Sequence, residues 1–201
     1  MVATTLKDSE MAKHTYKGKT YDIPYRDNRR KKCYDGEREA FGQSFRDLID
    51  GGNFKSSCEF ARKVVSSKTW LRLREQHGQL RNGICWIQQR GLEVSDGRGT
   101  TWARGGGGWI NLPRWARTKP VILHELAHNL VGGGKGHHWP FNRAYIDLVA
   151  VFIGKAEAKH LEKCLKAAGA KTRPPKQLSP ETLEKMRERG RQLAAARRKN
   201  A

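Results

Sequence analysis

Acidic residues are scarce in this chain: 20 Asp and Glu stand against 40 Lys and Arg, leaving a formal charge of +20. A field of that sign draws polyanions, nucleic acid above all, or anionic lipid surfaces. It does not by itself make any of them the substrate, because a basic surface also serves solubility and loose association. Long apolar runs are lacking too. None approaches the ~20 residues needed to span a bilayer, which excludes a transmembrane helix. Residues 1–19 are polar, without the apolar core of a signal peptide, so the expected location is cytoplasmic. The four cysteines, Cys33, Cys58, Cys85 and Cys164, contain no Cys-x-x-Cys pair. That excludes a zinc ribbon or a dithiol redox motif, and in a reducing compartment predicts small, buried thiols. The glycines at 105–108 lack the Lys-Ser/Thr that completes a phosphate-binding P-loop. No internal repeat is present.

What the chain does have is His124-Glu125-Leu126-Ala127-His128, set in the apolar run Val121 to Leu130. On a helix, residues four apart share a face, so His124 and His128 can aim two imidazoles at one point. That point suits Zn²⁺, which takes neutral His nitrogens in tetrahedral geometry. Glu125 then lies where a general base for a metal-bound water is needed. With seven His in the chain, accident would produce the five-residue pattern in on the order of one or two chains per hundred. The alternative is a pair of core histidines satisfied by hydrogen bonds. The apolar surroundings argue against it, since two unpaired His and a Glu would be costly there.

Catalytic zinc usually takes three protein ligands and leaves the fourth place to water. Gly132-Gly133-Gly134 ends the helix and lets the chain fold back. His137 and His138 follow at once, and either can supply the third ligand. The metzincin spacing requires Gly at 131 and His at 134, where this chain has Val131 and Gly134, so that class is excluded. Glu157, on a later helix, is the rival ligand of the gluzincin kind; the histidines are preferred because they come directly after the turn.

Along the chain, residues 1–25 read as a flexible basic arm. Apolar residues at Phe41, Phe45 and Leu48 predict a helix over 27–49, stopped by Asp50-Gly51-Gly52. Further helices are expected over 57–65 and 69–74. Strands are expected at 83–88, 100–103 and 109–112, with a flexible tip at 105–108. An edge strand beside the metal would let an extended peptide add as a further strand. Thr118 should cap the site helix, with Pro120 in its first turn. Pro140 opens another helix with Phe141, Tyr145, Leu148 and Val149 inward, and 155–168 continues helically. Asp147 is a candidate for orienting a ligand histidine, although a solvent-facing helix residue is its simpler explanation. Arg173-Pro174-Pro175-Lys176 reads as a linker, and 171–201 as a basic helical or disordered tail begun by Ser179. The catalytic domain is thus placed at 26–170.

Several segments resemble the metallohydrolases of actinobacteria and their phages that carry a mycobacterial-type His-Glu-x-x-His domain. They are residues 26–38 (RDNRRKKCYDGER), Gly97-Arg98-Gly99, residues 110–117 (INLPRWAR) leading into Leu123-His124-Glu125-Leu126-Ala127-His128, and residues 141–149 (FNRAYIDLV). The resemblance covers 27–171 and implies a zincin-like fold and a hydrolase. It extends to the SprT-like proteins, whose His-Gly-Pro-x-Phe after the metal helix carries the third ligand. Counting back from Phe141 lands on His137; counting back from Pro140 lands on His138. This chain has His138-Trp139 where that pattern has Gly-Pro. The register after Phe141 favours His137.

The expected fold is therefore α+β and zincin-like, a small mixed or antiparallel sheet packed on the helix of His124 and His128. The expected function is zinc-dependent hydrolysis of a peptide or protein substrate, with Glu125 as the base. The alternative is a basic nucleic-acid-binding protein with a structural or vestigial zinc.

Overall fold

The computed structural model describes residues 11–24, 29–77, 87, 90–132, 136–176 and 179–199. Among them are seven α-helices and two small sheets, a mixed α+β architecture. Strands β1 (Met11–Tyr16) and β2 (Lys19–Pro24) form an antiparallel hairpin. Helices α1 (Arg30–Phe41), α2 (Phe54–Val65) and α3 (Lys68–Gln76) follow. Strands β3 (Glu93–Ser95), β4 (Arg104–Gly106) and β5 (Trp109–Asn111) form a mixed sheet in the order β3-β5-β4, with β3 parallel and β4 antiparallel to β5. Helices α4 (Lys119–Val131), α5 (Trp139–Phe152), α6 (Lys155–Ala167) and α7 (Pro180–Lys199) complete the chain.

Helix α4 is the centre. Thr118 caps it, its hydroxyl accepting the Val121 N–H at 3.4 Å, and Pro120 sits in the first turn, where a missing N–H costs nothing. Gly132 stops it in the left-handed region at φ 79°, donating its N–H to the His128 carbonyl. Between these ends every residue but His128 from Pro120 to Val131 is buried, against α2, α3, α5 and the strands β4 and β5. Leu123, Leu126 and Leu130 are fully enclosed, and each contributes about 1.5–3 kcal/mol by leaving water.

Two glycines set how closely the layers approach this core. A Cβ on Gly36 of α1 would lie 2.8 Å from the Leu165 Cα, so only glycine lets α1 pack directly on the backbone of α6. A Cβ on Gly105 of β4 would collide with the backbone of Glu125, so the strand lies flush against α4. The turn after β4 is pinned as well: the Gly108 N–H donates to the Asn129 side chain at 2.7 Å, and Asn129 Nδ2 donates to the Trp109 carbonyl at 3.1 Å. Arg117 ties the other end of the sheet, donating to the carbonyls of Leu112, Gly52 and Asp96 and to the Asp96 carboxylate at 2.6 Å.

Several expectations need correction. Residues 11–24 are a hairpin docked on the domain, not a loose arm. His14 is buried, with its Nε2 3.3 Å from Nδ1 of His77, and its ring meets Trp139 edge-on at 5.5 Å. Tyr16 and Tyr21 pack on the same Trp139, and Lys17 donates its N–H to the Gln76 carbonyl at 2.8 Å. Helix α1 ends at Gly42, φ 36°, and passes into a 3-10 turn (Gly42–Phe45), so 27–49 is not one helix. The second strand is 104–106, not 100–103, and the glycines at 105–106 belong to it, paired with β5, while Asn129 holds the turn at Gly108. The strand expected at 83–88 lies outside the described residues except for Ile87, which is helical. Lys171 and Thr172 still belong to the packed domain, since Asn142 Nδ2 donates to the Lys171 carbonyl at 2.9 Å and Thr172 is buried. Cys33, Cys58 and Cys164 are buried thiols, as expected, and Cys85 lies outside the described residues.

Two outcomes follow from this packing. Gly36→Ala should lower stability by about 1–3 kcal/mol, because the added methyl meets backbone that cannot rotate away; chemical denaturation with an unchanged midpoint would refute the contact. The second concerns acid. Burial, with His14 alongside, pushes the His77 pKa down to about 3. The unfolded chain takes up that proton near pH 6.5, so the stability held by neutral His77 is complete above ~6.5 and is lost as pH falls towards 3. Thermal melts from pH 7.5 to 4 should show a shallower acid slope in His77→Gln than in the parent, and parallel slopes would exclude His77 as the cause.

Candidate metal centre

His124 and His128 project from one face of α4, as their spacing requires, and the chain returns through Gly136 so that His137 meets them just before α5. The ligand-capable atoms of the three side chains all lie within 4.8 Å of one another. His124 and His137 are buried and His128 half-buried. The Nε2 atoms of His124 and His137 are 3.3 Å apart. Nitrogens at ~2.0–2.1 Å from one tetrahedral zinc sit about 3.3 Å from each other, so this pair fits such an ion. Phe141 packs on all three rings, with centroid distances of 4.7, 4.3 and 4.8 Å, and fixes their orientation from below.

His124 is aimed by a carboxylate from elsewhere in the chain. Its Nδ1 is 2.6 Å from Oε1 of Glu37, which is itself buried on α1 and accepts from the Cys33 thiol at 3.3 Å. A bond at Nδ1 leaves Nε2 as the nitrogen presented to the centre. Burial works against a charged His124, but Glu37 outweighs it and holds the pKa above the usual value. Tyr34, one turn earlier on α1, lies over the His124 ring at 5.6 Å and meets His137 edge-on at 5.1 Å. Burial raises its phenol pKa and keeps the hydroxyl protonated. Arg30 places its guanidinium 5.9 Å from the Tyr34 ring centre.

Glu125 is buried beside these groups, and burial pushes its pKa up to about 6. Its backbone carbonyl accepts from Asn129 Nδ2 at 3.2 Å, which holds the helix in register with the β4–β5 turn. Edge strand β4 runs directly over this residue.

Set against expectation, His124, Glu125, His128 and His137 come together. His138 does not join the group; it is buried at the N-cap of α5. Glu157 is not part of it either, because its carboxylate folds onto Gly154 at the start of α6. Asp147 does not orient a histidine: Arg143 Nε donates to both of its oxygens at 3.1 Å. The orienting carboxylate is Glu37, which sequence reasoning missed along with Tyr34. Both lie at helical spacing in the segment 26–38, but nothing in that segment indicates that α1 faces α4 across 87 residues of chain.

Glu37→Gln, which keeps the size and removes the charge, should weaken zinc affinity by roughly 10–100-fold. Competition with a chromophoric chelator measures this, and equal affinity in the two proteins would show that Glu37 does not support the ligand. Comparison of the chain with protein-family models, with curated proteins and with solved structures returned no match.

Proposed function

We propose that the protein is a zinc-dependent hydrolase acting on peptide bonds, of the zincin-like kind that the resemblance of its motifs implies. The observation that carries this reading is the convergence of His124, His128 and His137 beside a buried acid, Glu125. The three histidines would hold the ion. Bound there, zinc supplies Lewis-acid polarisation of a carbonyl and acidifies water at neutral pH. The donor set is neutral imidazole, which suits Zn²⁺ and gives a harder cation such as Mg²⁺ little purchase.

The chain's own residues divide the remaining work. Glu125, its pKa raised to about 6 by burial, is ionised at neutral pH yet basic enough to take a proton from the attacking water and pass it to the leaving amine. Tyr34, its phenol kept protonated by burial and its ring beside His124 and His137, would donate to the oxygen on which charge develops. Among the described residues strand β4 pairs along one edge only, and an extended peptide hydrogen-bonded to the other would pass over Glu125. Peptide is favoured over other acyl substrates by that strand.

The second reading is a nucleic-acid-binding protein with a structural or vestigial zinc. It is supported by the +20 charge and by α7, whose Lys185, Arg187, Arg189 and Arg191 are exposed. Intrahelical pairs with Glu181, Glu184 and Glu188 offset part of that charge. A structural zinc is closed by four protein ligands, whereas three His with an acid alongside leave a position for substrate. No described helix is long and apolar enough to cross a membrane.

Glu125→Gln should bind zinc at the parent stoichiometry and lose peptide hydrolysis by at least ~10³-fold. His137→Ala should lose the metal, and His138→Ala should keep it. Metal analysis of the purified proteins with a peptide-cleavage assay decides this, and parent-level turnover by Glu125→Gln would end the proposed mechanism.

A further inference from the structure

A cavity of about 360 Å³ opens beside the metal centre, with His124 and Glu125 at its inner end. Its walls are mostly apolar, from Tyr34, Phe45, Trp102, Ala103, Trp115 and Val121, and the Glu37 carboxylate that bonds His124 also lines it. Apart from Tyr34 and Glu37, the metal centre uses none of these walls. Val121 and Glu125 are four apart on α4 and share a face, so the cavity floor is continuous with the acid. Phe45 comes from the turn after α1, and Ala103 immediately precedes edge strand β4. Trp102 and Trp115 also line it and are 66% and 51% exposed, so their indoles offer apolar surface that a ligand would cover. Arg38, exposed and paired with Asp35, is the cationic group at the rim.

We propose that this cavity is a specificity pocket taking one large apolar side chain, Phe, Trp or Leu, of a peptide lying along β4, next to the bond that is cut. The inference rests on the peptidase reading above. The volume is at the low end of ligand sites, ~300–1,000 Å³, which is room for a side chain and not for a whole substrate. Alternation along a strand sends every second side chain to the same side, so a peptide on β4 presents one residue to the cavity while its neighbour faces solvent. Small Ala103 at the strand's start keeps the entrance open. Lys and Arg are disfavoured at the position, because the mostly apolar lining desolvates a charged head while the Glu37 carboxylate is already bonded to His124 and Cys33.

The test is a set of internally quenched peptides that differ only at one position, cut by the zinc-loaded protein and, in parallel, titrated against it at equilibrium by calorimetry. Phe, Trp and Leu should exceed Ala by roughly 10²-fold in kcat/KM at one residue flanking the cut, with Lys no better than Ala. Ala103→Trp, which fills the entrance, should abolish the preference, with metal content as the check that the centre survives. Hydrolysis without preference, or with preference for small or basic residues, overturns the pocket and leaves the hydrolase reading standing. If no peptide is cut, the hydrolase reading fails and equilibrium binding decides the pocket: tighter binding of the Phe peptide than of the Ala peptide, lost in Ala103→Trp, upholds it, and equal binding overturns it. Tryptophan quenching by short single-stranded DNA with no response to the Phe peptide would assign the indoles to base stacking and likewise overturn the proposal.

Discussion

A helix buried on nearly every face cannot carry two imidazoles and a carboxylate unless other groups answer them. Desolvating a polar side chain without a partner costs more than most single apolar contacts return. Much of the structure around α4 meets that constraint. Glu37 reaches His124 from α1 and His137 arrives from the following turn, while the Glu125 carboxylate meets its burial with a raised pKa. Gly36 and Gly105 have no side chain because α1 packs on the backbone of α6 and β4 on the backbone of α4.

The same closeness shapes the chemistry. Burial raises Glu125 towards neutrality, where a carboxylate becomes a useful base, and keeps the Tyr34 phenol protonated. Strand β4, drawn flush to α4, lies beside that acid with one edge unpaired among the described residues, and its preceding loop supplies an indole that lines the apolar cavity. The proposed base, edge and pocket are thus three consequences of one packing arrangement.

Away from the centre, the β1–β2 hairpin shows that charge and order are separate questions. Its lysines face water, while His14 and Tyr16 turn to His77 and Trp139. Trp139 lies two residues beyond His137, so the hairpin braces the segment that delivers the third histidine. Lys185, Arg187, Arg189 and Arg191 of α7, by contrast, meet water or their own helix's glutamates, and carry charge rather than packing.

The sequence by itself determined what depends on local geometry. The Thr118 cap, the Pro120 start and the Gly132 stop are short-range backbone effects, and the shared face of His124 and His128 follows from 3.6 residues per turn. The α+β class and most helix positions were legible for the same reason. The choice of His137 over His138 was not settled by spacing, because two adjacent residues point to different sides and only the packing of Phe141 and α5 selects one. Glu37 as the orienting carboxylate, in place of Asp147, was decided by a contact between α1 and α4, segments far apart in the chain. The apolar cavity was decided likewise, since Phe45, Trp102, Trp115 and Val121 belong to no common period. Helical periodicity reports which residues share a face; which faces then meet depends on long-range packing that no local pattern records.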